Sequence, residues 1–357
     1  MPHTHYPKKN VLIITPTIGG YGGIEAFVIN LAHQIQACPG TVVKLCLKRV
    51  KGHELQETFL KLLDESKIPY LIVERMSKAV FEAICWADVV HAQMAPPDVS
   101  LLCTLLRKPL VLTLHDNCPQ KISLHTILWH LSLRLAHARV YVSNSLWNNW
   151  EPHGRLKGSL RIPSVPELEE VPVDFDNRKG FLFVGRWVQG KGIEVLLKAY
   201  KKASLDPEKW PLLMMGTGPL YEWAQAFVKE HKLQGVELLQ SSFSGEKFKI
   251  IARSKWMVVP SHFKEPLGMV PLEARYVSVP VIATRDGGLL ESAGQEAIFC
   301  EPNDVDSLAQ ALQEAAAIPE GPYRERALKA KESLSHFIIP LKTYNDLYNF
   351  VIDESSA

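Results

Sequence analysis

No stretch of about 18 or more apolar residues occurs in the 357-residue chain, so no transmembrane helix is expected. The six cysteines, Cys38, Cys46, Cys85, Cys103, Cys118 and Cys300, contain no C-x-x-C pair. Scattered in this way, they argue against a metal ribbon or a disulfide-stapled scaffold and read as reduced, partly buried thiols of a cytoplasmic protein. Lys8 and Lys9 precede the apolar run VLIIT, but that run lasts five residues before Pro16 and a glycine-rich loop. A first β-strand is therefore expected there, not a secretion signal. Internal repeats and low-complexity tracts are absent too. So is the dinucleotide signature G-x-G-x-x-G after the first strand, because the glycines fall at 19, 20, 22 and 23. No acidic residue closes the second strand to take a ribose.

What is present suits two soluble domains. Apolar residues make up 46% and charged residues 22% of the chain, enough to fill two cores. The net charge of +2 gives no reason to expect nucleic acid as a partner, but it hides an asymmetry. Residues 1–165 carry 18 basic against 11 acidic side chains, or +7, and the remainder 22 against 27, or −5. A basic first half suggests an anionic partner or a negatively charged membrane surface; ordinary solvated lysines explain it equally well.

Short β-branched runs alternate with segments of helical period: VLIIT (11–15), TVVKLCL (41–47), PYLIV (69–73), DVVHA (88–92), PLVLTL (109–114) and RVYVS (139–143). After the proline-rich, acidic segment PSVPELEEVPVDFDNR (163–178) the pattern restarts with FLFVG, PLLMMG, VELLQ, WMVVP, PVIAT and AIFC. Strands separated by helices predict parallel β-α-β units. The expected fold is α/β: two Rossmann-like, doubly wound domains facing a central cleft, with sites at the carboxyl ends of the strands. The expected boundaries are an N-terminal domain at 1–165, a linker at 166–178, a second domain at 179–336 and a C-terminal helix at 337–357 that returns to the first domain.

Several stretches carry candidate chemistry. In GRWVQGKG (185–192), between a strand and a helix, Arg186 offers a planar fork of donors and Lys191 a mobile charge, a pair suited to a phosphate or diphosphate. In SHFKEPLGMVPLEARY, Glu265 and Glu273 bracket a helix start near Leu267 or Gly268. The amides of Gly268, Met269 and Val270 would favour an anion, and the two carboxylates would accept hydrogen bonds from sugar hydroxyls. A helix-dipole partner for Glu265 and a buried salt bridge for Glu273 are the plainer alternatives. The loop TPTIGGYGGIEAF (15–27) lets backbone approach a ligand, while His91 and His115 end strands; His91 is as readily a packed core histidine. DFD (174–176) and DVD (304–306) fall where solvation or capping explains them, so no metal site is expected.

Together, GGYGGIEAFVINLA, DVVHA, LTLHD, GRWVQGKG, MMGTGPL, VVPSHFKEPLGMVPLEA and PVIATRDGGLLES resemble the retaining glycosyltransferases of family 4, a glycogen-synthase-like group with the GT-B fold. The resemblance implies transfer from a nucleotide-diphosphate sugar, a UDP-sugar by expectation, to a hydroxyl acceptor, without metal or other cofactor. It implies that Arg186 and Lys191 hold the diphosphate, Glu265 the sugar hydroxyls and Glu273 the ribose. Gly268, Met269 and Val270 would contact sugar and phosphate, Gly22 and Gly23 would approach the donor, and His115 would lie near the reaction centre. Two segments depart from the family's pattern. RIPSVPELEE replaces an asparagine–glycine turn, and LLQSSFSGE (238–246) stands where the family's base-proximal segment tends to hold a glycine, so the identity of the base stays open. An epimerase or sugar phosphorylase on the same fold, or a non-catalytic sugar-nucleotide-binding protein, are the rival readings. The basic, tryptophan-bearing segment 121–150 could rest on anionic lipid at the inner face of a membrane and take a lipid-linked acceptor. Core packing explains its leucines as well.

Overall fold

Strands buried on both faces read as continuous apolar runs, and FLFV is such a run: Phe181 and Phe183 enter one core while Leu182 and Val184 enter another. The computed structural model describes residues 8–20, 22–74, 77–121, 123–164, 168–240 and 246–356. Its contacts divide the chain into Met1–Glu167 with Ile339–Ala357, and Leu168–Ile338.

The first unit runs β1 (Lys9–Thr17), α1 (Gly23–Gln36), β2 (Thr41–Arg49), α2 (Glu57–Glu65), β3 (Tyr70–Val73) and α3 (Lys78–Trp86). It continues with β4 (Val89–Gln93), α4 (Pro97–Leu105), β5 (Leu110–Leu114), α5 (Leu124–Leu135), β6 (Ala138–Tyr141), α6 (Asn144–Trp150) and β7 (Ser159–Arg161). The second runs β8 (Lys179–Val184), α7 (Ile193–Ala203), β9 (Leu212–Gly216), α8 (Tyr221–Glu230), β10 (Val236–Gln240), α9 (Lys247–Ala252) and β11 (Ser254–Val259). Then follow α10 (Met269–Tyr276), β12 (Val281–Thr284), α11 (Leu289–Ser292), β13 (Ile298–Cys300), α12 (Val305–Ala317) and α13 (Glu320–Phe337). The last helix, α14 (Thr343–Ser356), belongs to the first unit.

The first sheet has the order β3-β2-β1-β4-β5-β6-β7 and the second β10-β9-β8-β11-β12-β13. Every pairing in both is parallel, as β-α-β units require. Strand order reverses between β1 and β4 in one sheet and between β8 and β11 in the other, and at such points the connecting loops part to leave room for a ligand.

Three details differ from expectation. β7 went unread because SLR is too short to show a period. The C-terminal helix expected from 337 starts at Thr343 as α14, because Ile338–Lys342, with Pro340, interrupts the helical hydrogen-bond ladder after α13. The helix expected from Leu267 or Gly268 starts at Met269, with Gly268 as its N-cap and Pro271 in its first turn. Residues 166 and 167 of the expected linker, and residue 165 before it, lie outside the described residues.

His91 settles on its packed alternative. Fully buried on β4, its ring places Nδ1 2.7 Å from the Tyr348 hydroxyl and Nε2 2.7 Å from the Thr113 hydroxyl, and it stacks on Tyr344. It thus fastens α14 to the sheet. Burial pushes its imidazole down to about 3, so the native ring stays neutral where an unfolded one takes up a proton.

In the second unit, the loops after β8 and β11 touch through backbone. A Cβ on Gly192, whose φ is +77°, would lie 2.0 Å from the Pro260 carbonyl oxygen, and the His262 amide donates to Gly190 O at 2.8 Å. Only glycine fits such an approach.

Two outcomes follow. Below the ordinary histidine value near 6.5, stability should fall as pH drops towards 3, by up to about 1.4 kcal/mol per pH unit for His91. Denaturation curves at stepped pH should show a shallower slope for His91→Gln; an unchanged slope would contradict this account. Gly192→Ala should cost about 1–3 kcal/mol and lower the melting midpoint by roughly 2–4 °C per kcal/mol, measured by calorimetry.

Candidate active site

In the second unit the site residues gather where strand order reverses. β8 and β11 are hydrogen-bonded neighbours, so the loops leaving their carboxyl ends start side by side. One carries Arg186 and Lys191, the other Ser261 and Glu265. The Gly192–Pro260 approach draws Lys191 onto Glu265, with Nζ 2.6 Å from Oε1. Ser261 Oγ donates to the same oxygen at 2.8 Å. The lysine ammonium also lies 4.8 Å over the Phe263 ring.

That loop is braced from behind. The Gly288 amide donates to Glu265 O at 2.7 Å, and Thr284 Oγ1 donates to Ser261 O at 2.5 Å. A Cβ on Gly288 would lie 2.3 Å from Pro266 O, which gives the RDGG turn its physical reason. Side-chain exposure of 19% for Lys191 and 10% for Glu265 leaves the pair largely desolvated yet reachable. Arg186 is exposed on the same loop, next to Trp187, whose ring is fully buried and whose amide donates to Thr217 O.

Gly268, Met269 and Val270 form the start of α10, whose first-turn amides have no partner inside the helix. The buried Arg275 fixes that helix: Nη1 donates to Ser292 O at 2.7 Å, Nε to Ala330 O at 3.2 Å and Nη2 to Ser333 Oγ at 3.0 Å. Burial lowers its guanidinium to about 10, still charged at neutral pH. Glu273, one turn into α10, is buried and has Lys247 Nζ 2.5 Å from its Oε2. The plainer alternative for Glu273, a buried ion pair, is thus present. Residues 241–245, most of the base-proximal stretch LLQSSFSGE, lie outside the described residues.

In the first unit, Gly22 caps α1 and its amide donates to Glu25 Oε2 at 3.1 Å, with Gly23 opening the helix. Burial raises the Glu25 carboxyl, opposed by hydrogen bonds from its own and the Gly22 amides and from Thr17. His115, just past β5, has Nε2 2.7 Å from Gln93 Oε1 and Nδ1 3.4 Å from Ser164 Oγ. Its ring meets Phe27 edge-on at 5.0 Å. Burial pushes this imidazole down to about 3 as well. With Gln93 Oε1 accepting, the neutral ring carries its proton on Nε2 and presents Nδ1 as an acceptor.

Lys191 and Glu265 are therefore joined, with Gly268, Met269 and Val270 on the same loop-helix segment as Glu265. Gly22, Gly23 and His115 belong to the other unit. Three contributors were missed: Ser261, Gln93 and Lys247. Ser261 and Gln93 each stand at or just past a strand's carboxyl end, a placement that could have flagged them. Lys247 carries no such mark. Among the described residues, no group of three or more His, Cys, Asp or Glu is placed to hold a metal ion.

The model of the family described as glycosyl transferases group 1 matches residues 165–333. An uncharacterized glycosyltransferase of Methanocaldococcus jannaschii is 34% identical over 328 residues, 88% of this chain and 87% of that one. Glycogen synthase of Mycobacterium tuberculosis is 29% identical over 157 residues, 43% of this chain and 37% of its own length. Among solved structures, a Rickettsia africae glycosyltransferase superposes with a TM-score of 0.79 at 18% identity, covering 97% of this chain and 99% of that one. Anabaena HepE, crystallised with UDP and glucose, reaches 0.77 at 17% identity, covering 97% and 100%. Two parallel α/β units and this likeness identify the fold as GT-B. The chain belongs to the glycosyl transferases group 1 family and is a glycosyltransferase.

Proposed function

We propose that the chain moves a glycosyl unit from a nucleotide-diphosphate sugar to a hydroxyl acceptor with retention at the anomeric carbon. The observation that carries this reading is the contact of Lys191 with Glu265 at the reversal of strand order, beside the start of α10. A cation, a carboxylate and free helix amides within one loop pair suit a ligand with a phosphate end and a hydroxyl-bearing end. UDP as the carrier is supported by HepE, a protein of the same fold seen with UDP-glucose.

In this reading Arg186 and Lys191 hold the diphosphate, and the Gly268–Val270 amides share its charge. Glu265 accepts from sugar hydroxyls, oriented by Ser261, and Glu273 accepts from the ribose while Lys247 neutralises it. The bond from the anomeric carbon to the diphosphate oxygen breaks, and the acceptor oxygen bonds on the same face. The acceptor's proton passes to the departing phosphate. Positive charge fixed on the leaving group is the largest contribution, and no metal ion is required for it.

Lys191→Ala and Glu265→Ala should each lower kcat/KM by about 100-fold or more while the fold persists. Removing the lysine also leaves a mostly buried carboxylate unpaired, at about 1–3 kcal/mol in stability. Product anomers read by NMR should match the donor, and donor incubated alone should return no epimer. Near-normal turnover in both variants, or inverted product, would overturn the proposal.

A further inference from the structure

A helix on the surface of a water-soluble domain buries its leucines and exposes its polar side chains. α5 does the reverse over much of its length. It buries Thr126 and Ser132 together with Leu133, and the hydroxyls turn back onto the carbonyls of Lys121 and Leu128. Among its outward positions, beside His125, His130 and Arg134, are Leu124, Ile127 and Leu131, spaced three and four apart on one stripe. α4 packs beside it and exposes Leu101 and Leu105, again four apart. These five side chains are each between 48% and 73% exposed. Large apolar residues grouped this way mark an interaction surface, whereas scattered ones would need no explanation.

The charges around the stripe say what covers it. Lys121 precedes Leu124 by three positions and Arg134 follows Leu131 by three, so a cation stands at each end; Arg107 follows Leu105, and all three cations are exposed. From residue 99 to 150 the sequence contains one acid, Asp116. Asp98, at the first turn of α4, is spent on Lys48, with Nζ 2.5 Å away and the carboxylate 8% exposed. An apolar stripe between long cationic side chains is the arrangement in which apolar residues enter the acyl boundary while lysine and arginine reach headgroup phosphates. A second copy packed on this face by two-fold symmetry would instead set these cations against their own kind.

We propose that the α4–α5 face docks on an anionic lipid surface. Each of the three cations adds to the attraction near such a surface, and salt screens the contribution. The inference goes beyond the transfer reaction and is read without donor or turnover.

Co-sedimentation with vesicles tests it. The full chain should pellet with phosphatidylcholine vesicles containing about one-third phosphatidylglycerol at low salt, but not with phosphatidylcholine alone, and about 0.5 M salt should release it. Ile127→Glu combined with Leu131→Glu should lower partitioning about ten-fold or more, and Leu105→Glu, on the other helix, should lower it independently. Should the double variant not fold, Lys121→Gln with Arg134→Gln decides through the loss of preference for anionic lipid. Absence of pelleting at low salt, equal binding to both vesicle types, or partitioning unchanged by the substitutions would overturn the proposal. So would a lipid-free dimer that the same substitutions dissociate while vesicle binding is absent.

Discussion

The contact that organises the second unit's candidate site is the ion pair between Lys191 and Glu265. The two residues are 74 positions apart, and neither loop alone would hold its side chain there. What brings them together is the reversal of strand order at β8 and β11, sharpened by a backbone approach that only a glycine at 192 permits. A desolvated pair of this kind adds little to stability on its own account, because the cost of leaving water offsets the attraction. Its value lies in fixing two opposite charges a hydrogen bond apart at the mouth of a helix whose amides are free. Ser261 and Thr284 tie the carboxylate's loop to its neighbours, and Arg275 ties the helix to α11 and α13. Preorganisation of this sort is what electrostatic stabilisation of a leaving group requires.

The first unit shows the same economy with neutral groups. Sequence reading expects both histidines at strand ends, but His91 lies inside β4 and only His115 stands just past its strand, β5. His91 is enclosed by Thr113, Tyr344 and Tyr348 and anchors α14 to the sheet. His115 is oriented by Gln93 and Ser164 and keeps an accepting nitrogen. The last helix is thus part of the first unit's core although it follows the whole of the second in sequence. All six cysteines are free thiols, and burial drives those of Cys46, Cys103 and Cys300 up to about 12, so they act as small apolar fillers.

How far the sequence could be read follows from what each feature depends on. Of the thirteen strands among the described residues, twelve show as short apolar runs, because the inner strands of each sheet are buried on both faces, so composition alone marks most of them. The exception, β7, is three residues long and takes its pairing from β6. Strand-end motifs pointed to Lys191 and Glu265 because loops after parallel strands are where ligands sit. Their actual contact, and the capture of Glu273 by Lys247, depend on chain crossings that no local pattern encodes. The outward leucines of α5 illustrate the same limit: helical period announces an apolar stripe without saying which side it faces. Only the structure shows that Thr126 and Ser132 take the inside.

The central claim is that the two members of the pair read different ends of one ligand, and binding of UDP compared with binding of a UDP-sugar tests it most directly. Calorimetric titration of Lys191→Ala should show UDP affinity lowered by about ten-fold or more, as expected for a lost charge-assisted contact. Glu265→Gln should bind UDP like the native chain but lose whatever added affinity the sugar supplies. If instead both variants lose UDP to the same extent, or neither changes the difference between UDP and UDP-sugar, the division of labour between Lys191 and Glu265 is wrong.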